Sequence, residues 1–398
     1  MASLTELLHL IARWVHLIAG IMWIGNSMLF NWLDRNLVMP DDPEKGLVGE
    51  NWMIHSGGFY QVKKLNPEPG ALPKVLHWFK WQNGVTWLSG ISLLVLVYYM
   101  GGAALMTDTA VARITGGRAV ALGVGCVIGA WVLYDLLWRS PLGKRQTLSF
   151  LLSIGIVLGL SGVLFHYLSG RAAYMHVGVM LGTLMTGNVW FVIVPSQHEL
   201  VNATREHRRQ NLAKGYQAKA RSIHNNYMTF PLLFIMISNH FPLTFGHALN
   251  WAVLLVLAFG SALIRHFMNV RFTWRNWFLP TTLVFFATCV ATLVFFSHPD
   301  GFRRRASSAT GPQSWADIEP IVQQRCVPCH STHPTNAAVT VAPNGIVFER
   351  YAQVFQWKER IKLRVVTLHN MPLNNATHIT DAERDRIGAW IDQGARED

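Results

Sequence analysis

Near the end of this chain two cysteines and a histidine stand in the order Cys326-Val-Pro-Cys329-His330. Two thiols at this spacing can bond the vinyl groups of a haem while the adjacent imidazole supplies an axial ligand, which is the attachment signature of haem c. The competing readings are a disulfide and a zinc site. Zinc wants four nitrogen or sulfur ligands, and although His333 is near, no further thiol follows. Met371, followed by Pro372 in the turn-rich run His369 to Asn375, is the candidate second axial ligand of a single covalent haem. A thioether there raises the reduction potential and suits an electron acceptor. The remaining thiols, Cys126 and Cys289, sit in apolar runs and read as packing residues.

The elements that must hold this group are legible around it. A helix-like run from Trp315 to Gln324 leads in, and Asp381 to Gln393 makes a closing amphipathic helix with Trp390 on its apolar face. Everything before it has another character. The 398 residues are 51% hydrophobic and only 14% charged, against about 25% charged in soluble proteins. Eight stretches are long and apolar enough, or nearly so, to span a bilayer as helix: Leu7 to Leu33, Trp81 to Met100, Ala119 to Trp138, Thr147 to Tyr167, Ala172 to Val194, Asn225 to His240, His247 to Ile264 and Trp277 to Phe296. The sixth is short and carries Pro231, so a re-entrant segment is its alternative.

The expected fold is therefore all-α: an eight-helix transmembrane bundle over residues 1–298, a Ser/Ala/Gly/Pro-rich linker over 299–313, and a small helical haem domain over 314–398. The net charge of +12 falls almost wholly in the apolar part, with 22 basic and 11 acidic residues up to His298 against 12 and 11 beyond. That distribution argues against a nucleic-acid partner, which would need a basic polar module. Eighteen Lys and Arg residues fall in the odd-numbered loops and three in the even ones. The positive-inside rule then places the odd loops in the cytoplasm and both termini outside, which agrees with haem c being attached on the outer face of a bacterial inner membrane. The N-terminus MASLTELLHL has no basic n-region or small-residue cleavage site, so the first helix is expected to remain as a span.

Ionisable and amide side chains inside a bilayer are costly and mark function. His16 and His176 lie within their helices and are the candidate ligands of one or two non-covalent haem b groups, which need facing histidines on different helices. Their alternative is a hydrogen-bonded structural histidine. His9, His240 and His247 are expected near an interface, wetted by water. Toward the other end, Asn83, Asp135, His224, Asn226 and Arg265 suit a planar, nitrogen-rich anion: Arg pairs with the charge, amides match ring donors and acceptors, and Asp135 or His224 takes a proton. Interhelical hydrogen bonding is the bland reading of each of them singly.

The tail resembles a class I cytochrome c domain throughout, with His330 and Met371 as the axial pair that this implies. The whole chain resembles the bacterial membrane-bound urate oxidase (urate hydroxylase) family. The resemblance is carried by WVHLIAGIMWIGNSMLF (residues 14–30), GGFYQVKKL (57–65), LHWFKWQNGVTWLSG (76–90), RSIHNNYMTFPLLFIMISNHFP (221–242) and CVPCH. It implies oxidation of urate to 5-hydroxyisourate in purine breakdown, with electrons passed to a respiratory cytochrome or terminal oxidase and no hydrogen peroxide made. Two other classes are open to the sequence. A quinol-to-cytochrome carrier would need no substrate site, and a copper-type transporter could use Met22, Met28, Met175, Met180 and Met185 as soft ligands.

Overall fold

The computed structural model describes residues 2–66, 72–100, 103–298, 311–336, 339 and 341–398. Most of the expected linker over 299–313 therefore lies outside the described residues. Helix α1 is Ala2–Arg35; α2 is Trp81–Leu94, continued by a π turn at Val95–Tyr99; α3 is Gly116–Arg139 and α4 is Gln146–Tyr167. Helix α5, Gly170–Asn188, runs through a second π turn at Val189–Ile193 into α6, Val194–Arg205. Helix α7 is Leu212–Ser238, α8 a single turn at Pro242–Phe245, α9 Asn250–Val270 and α10 Phe278–Ser297.

Among the described residues six helices are long and apolar enough to cross a membrane: α1, α3, α4, α5 with α6, α9 and α10. The other two expected spans are helical but fall outside that set. Helix α2 has only 14 residues before its π turn, and α7 spends its first turns on polar and basic residues before Tyr227. Pro231 does not end α7, which is 27 residues long. A hydropathy reading recovers only its apolar half.

Local chemistry explains the boundaries. Thr115 and Ser169 cap α3 and α5 by accepting the N–H of Arg118 and Ala172. Pro195 opens α6 immediately after the second π turn, where the widened turn accommodates a residue with no N–H to donate.

The axis of the bundle is α5, buried over most of its length. Glycines let its neighbours close on it, as small residues do in membrane helices. A Cβ on Gly187 would lie 2.5 Å from Trp131, one on Gly178 2.7 Å from Ile235, and one on Gly123 2.5 Å from His176 Nε2. His176 is 0% exposed, so it has nowhere to retreat. Gly123→Val is expected to destabilise the folded chain by about 1–3 kcal/mol, read as a fall in thermal midpoint of the detergent-purified protein. Gly125→Ala, with nothing within 4 Å, should leave that midpoint in place.

Two findings correct the sequence reading. The fold is mostly helical, as expected, but not wholly so, because Leu47–His55 (β1) and Gly58–Leu65 (β2) pair antiparallel. Their turn has Ser56 at φ 49° and Gly57 at φ 77°, the left-handed pair of a type I′ hairpin. The Ser-Gly dipeptide between alternating runs is the signal available in the sequence. The second concerns His247, which is buried, not wetted. Its Nδ1 accepts the Leu249 N–H at 2.8 Å and its Nε2 donates to the carbonyls of Phe295 and His298, fastening the start of α9 to the end of α10.

Beyond the linker, α11 (Trp315–Arg325), α12 (Tyr351–Gln356), α13 (Lys358–Ile361) with its π turn at Lys362–Thr367, and α14 (Asp381–Asp392) enclose a separate core. Ile318, Val354, Ile387 and Trp390 are among its deepest members, and the Trp315 and Trp390 rings lie 5.6 Å apart. Capping boxes at Ser314–Asp317 and Thr380–Glu383 start α11 and α14. This unit leans on the bundle at Gly246, where a Cβ would lie 3.2 Å from Leu368 and 3.3 Å from the amide nitrogen of Asn370.

Candidate functional site

The polar residues expected to form one substrate site are sorted into two networks at the end of the bundle where α1 finishes. In the first, Asp135 of α3 is held by two guanidinium groups: its Oδ1 accepts from Arg221 at 2.9 Å and its Oδ2 from Arg139 at 2.6 Å. Arg221, buried on α7, also donates to Asn188 Oδ1 at 3.1 Å and lies 4.6 Å over the Tyr134 ring. The Asn188 amide nitrogen donates to the Tyr134 hydroxyl at 3.1 Å and to Asn225 Oδ1 at 2.8 Å. Tyr134 OH meets His224 Nδ1 at 2.7 Å, and the His224 ring lies 4.3 Å from that of Trp138. With both carboxylate oxygens engaged, Asp135 serves to position Arg221. His224 is the group in this network able to receive a proton.

The second network is built on the neighbouring residue of α7. Asn226 Oδ1 accepts from Arg265 Nε at 3.0 Å and from Asn269 Nδ2 at 2.7 Å. Asn269 in turn accepts from Asn31 of α1, and Asn31 from Arg35. Arg265 is 5% exposed and lies over the Phe230 ring. Among the described residues no carboxylate pairs with it, and the arginines whose fields reach it, Arg271 and Arg35, are themselves cationic. A buried guanidinium costs several kcal/mol unless an anion or hydrogen bonds compensate it. Its Nε is satisfied, so the terminal nitrogens are left to grip an anion in the two-pronged way that suits a carboxylate or an enolate-type oxygen pair.

Asn83 makes no hydrogen bond to either network among the described residues. It is 1% exposed, its amide nitrogen donates to Thr186 at 3.0 Å, and its Oδ1 is buried without a partner among the described residues, as is Oε1 of Gln82. Buried acceptors are rarely left open, and these two could receive ring N–H groups.

The two histidines expected to hold haem b have different hydrogen-bond partners. His16 Nδ1 bonds the Thr86 carbonyl at 2.9 Å and Ser89 Oγ at 3.1 Å, an orientation that leaves Nε2 for an iron. His176 Nδ1 donates to the Ala172 carbonyl at 2.8 Å, so its Nε2 is the acceptor for Tyr99 OH at 3.0 Å. His176 thus has no free ring nitrogen, and the residues present do not fit a haem held between this pair.

In the tail the fit is better. His330 Nδ1 donates to the Ile346 carbonyl at 3.0 Å, fixing the ring with Nε2 turned outward. Burial pushes the Cys326 thiol up to about 12 and Cys329 in the same direction. Both stand as neutral thiols, the form whose S–H adds across a vinyl double bond. Cys326, Ile346 and Met371 all border the same apolar core, and Arg384 holds the Met371 carbonyl at 2.7 Å. Among the described residues no three His, Cys, Asp or Glu side chains converge on a point, as a zinc site would require.

Arg325 secures the rear of this site, reaching Glu383 at 2.9 Å and the Thr377 carbonyl at 2.6 Å. Partial burial works against ionisation of Glu383, but the N–H and hydroxyl of Thr380 together with Arg325 outweigh it and hold the carboxyl below its usual range. The stability this adds is complete above the ordinary glutamate value and is lost as pH falls through the depressed one. Unfolding of the tail should therefore ease from about pH 4.3 downward, and Glu383→Gln should flatten that dependence in thermal scans across pH.

Sequence reasoning misses Arg221, Tyr134 and Asn269. Arg221 reads as a loop residue in the sequence, and nothing marks Tyr134 among nine tyrosines. Its i, i+4 companion Trp138, with Asp135 between them on α3, is the one local hint. Residues 2–297 match the urate oxidase N-terminal family. No curated protein and no solved structure matches the chain.

Proposed function

The chain belongs to the urate oxidase N-terminal family, and from that premise we propose that it is a membrane-bound oxidoreductase that converts urate to 5-hydroxyisourate and delivers the electrons to its own tail. The observation that carries this reading is Arg265, a buried guanidinium whose neighbours are amides and an aromatic face with no carboxylate among the described residues. Urate is an anion at neutral pH. Arg265 and the amide nitrogen of Asn226, which bonds nothing among the described residues, offer only donors to it. The unpartnered Oδ1 of Asn83 offers an acceptor for a ring N–H. Purines bearing exocyclic oxygens match such donors, whereas exocyclic amines would face them donor to donor.

The overall change takes the urate anion and water to 5-hydroxyisourate, one proton and two electrons. His224 is the proton acceptor, because both oxygens of Asp135 are engaged by arginines. Attached at Cys326 and Cys329 with His330 on its iron, a haem c would supply a one-electron acceptor outside the bundle. Met371 would complete its ligation, with a respiratory-chain cytochrome or terminal oxidase as the onward acceptor. In this reading α2 and α7 also span the inner membrane, and the tail lies on the periplasmic side.

The test is anaerobic mixing of urate with the purified full chain while the absorbance of the tail is followed. One urate should reduce two tails. Reduction by a quinol with none by urate would instead identify an electron carrier that has no purine chemistry.

A further inference from the structure

Met371 is carried by a stretch with little regular structure. Between the π turn that ends at Thr367 and the start of α14 at Asp381, residues 368–380 contain one 3₁₀ turn, Leu373–Asn375. Three residues of the stretch, His369, Asn375 and His378, have left-handed φ values of 51°, 48° and 56°. A thioether on three rotatable bonds is a weak ligand for ferric iron. Whether it binds therefore depends on how firmly its own peptide is held.

Resting on the reading of the tail as a haem c unit, we propose that Arg384 is a positioning residue that keeps Met371 in place as the second axial ligand. Arg384 lies in α14 and is 4% exposed. One of its terminal nitrogens donates to two carbonyls, that of Val365 in the π turn and that of Met371 at 2.7 Å. It thus ties the element before the loop to the peptide of the ligand itself. From the other side the Arg364 carbonyl accepts the Met371 N–H at 3.2 Å and the Asn370 N–H at 3.0 Å, so both polar groups of the Met371 backbone are fixed. The close approach of α14 depends on Gly388, one turn beyond Arg384, where a Cβ would lie 3.0 Å from Val366 Cγ1.

Burying a guanidinium is costly, and a neutral amide can also donate to carbonyls. The charge has a use of its own here. It is felt at the Cys326 thiol, where it opposes the effect of burial, and a cation beside a haem favours the reduced, less positive iron. A thioether ligand raises the potential as well. Position and charge act in the same direction.

The test uses the full chain in detergent, without urate. The weak long-wavelength charge-transfer band of a thioether on ferric iron is recorded, together with the midpoint potential and a titration with imidazole. The wild type should show the band. Arg384→Gln, with neither the reach nor the charge, should lose it and fall in potential while keeping covalently attached haem. Arg384→Lys has a shorter side chain that reaches one carbonyl, so it should keep the band yet yield it to imidazole at a roughly tenfold lower concentration, the equivalent of one charged hydrogen bond. Glu383→Gln, a neighbouring change that leaves Met371 untouched, should match the wild type in all three readouts.

A residue that only held α14 in the fold would lower the thermal midpoint and leave band, potential and imidazole affinity in place, and that result overturns the proposal. Should Arg384→Gln fail to fold, Arg384→Lys decides, with wild-type imidazole affinity as the overturning result. Attached haem without the band in the wild type overturns the proposal together with Met371 as a ligand. A chain with no attached haem overturns the reading of the tail on which both rest.

Discussion

Arg265→Gln is expected to raise the KM for urate by roughly 10- to 150-fold, the equivalent of a charged hydrogen bond worth about 1.5–3 kcal/mol. The kcat should change far less, because a residue that grips the anion equally before and during oxidation contributes uniform binding. Glutamine keeps a donor for Asn226 Oδ1 and removes only the charge and the fork. Arg265→Lys should recover part of the loss, since one ammonium replaces a planar pair of donors. Reduction of the tail by dithionite should be the same in all three proteins. A KM unmoved by both substitutions would place the anion elsewhere, with Arg265 left as a partner of the asparagine chain. The substitution removes a cation that has no paired carboxylate among the described residues, so no buried anion is orphaned and the bundle should retain its thermal midpoint.

Replacing Cys326 and Cys329 together by alanine is expected to abolish urate oxidation, with no haem remaining on the polypeptide in denaturing gels. His330→Ala should leave attached haem that no longer accepts electrons at a useful rate. Met371→Leu should keep the attached haem and a reduced rate, because removing a thioether ligand lowers the potential of the iron. Binding of urate should survive in all of these variants. The apolar core around α5 and the one around Trp390 have no residue in common, so damage to the tail does not unpack the bundle. Equilibrium dialysis of radiolabelled urate against the double cysteine variant is the measurement. Loss of binding along with activity would mean that the tail completes the substrate site.

How much of this chain is legible in its sequence depends on how far apart the cooperating residues lie. The pentapeptide Cys326 to His330 is contiguous, and its meaning needs no tertiary structure. The long apolar helices announce themselves through twenty or so consecutive residues. Arg221 and Asp135 are 86 positions apart, and only the packing of α3 and of α7 on α5 makes them a pair. The charge distribution even conceals them, because Arg221 and Arg265 count as cytoplasmic loop charges by sequence although both are buried within helices. The asymmetry between odd and even loops persists without them. His176 shows the opposite failure. Its position in an apolar helix suggests an iron ligand, yet its two nitrogens are consumed by Ala172 one turn back and by Tyr99, which only the π turn in α2 presents to it. The hairpin escapes notice because a search for helical spans ignores period-two alternation.

That π turn bears on how this chain can change over evolutionary time. A π turn is a helix carrying one residue too many. Deleting any one of the five residues from Val95 to Tyr99 would let α2 run on as regular helix and rotate the downstream residues by about 100°. Tyr98 would swing away from Asn239 and Tyr99 from His176, two contacts that join α2 to α5 and to the end of α7. Here the number of residues is as much a specification as their identity. A relative one residue shorter in this segment should have lost both tyrosine contacts at once, even if every remaining letter were the same.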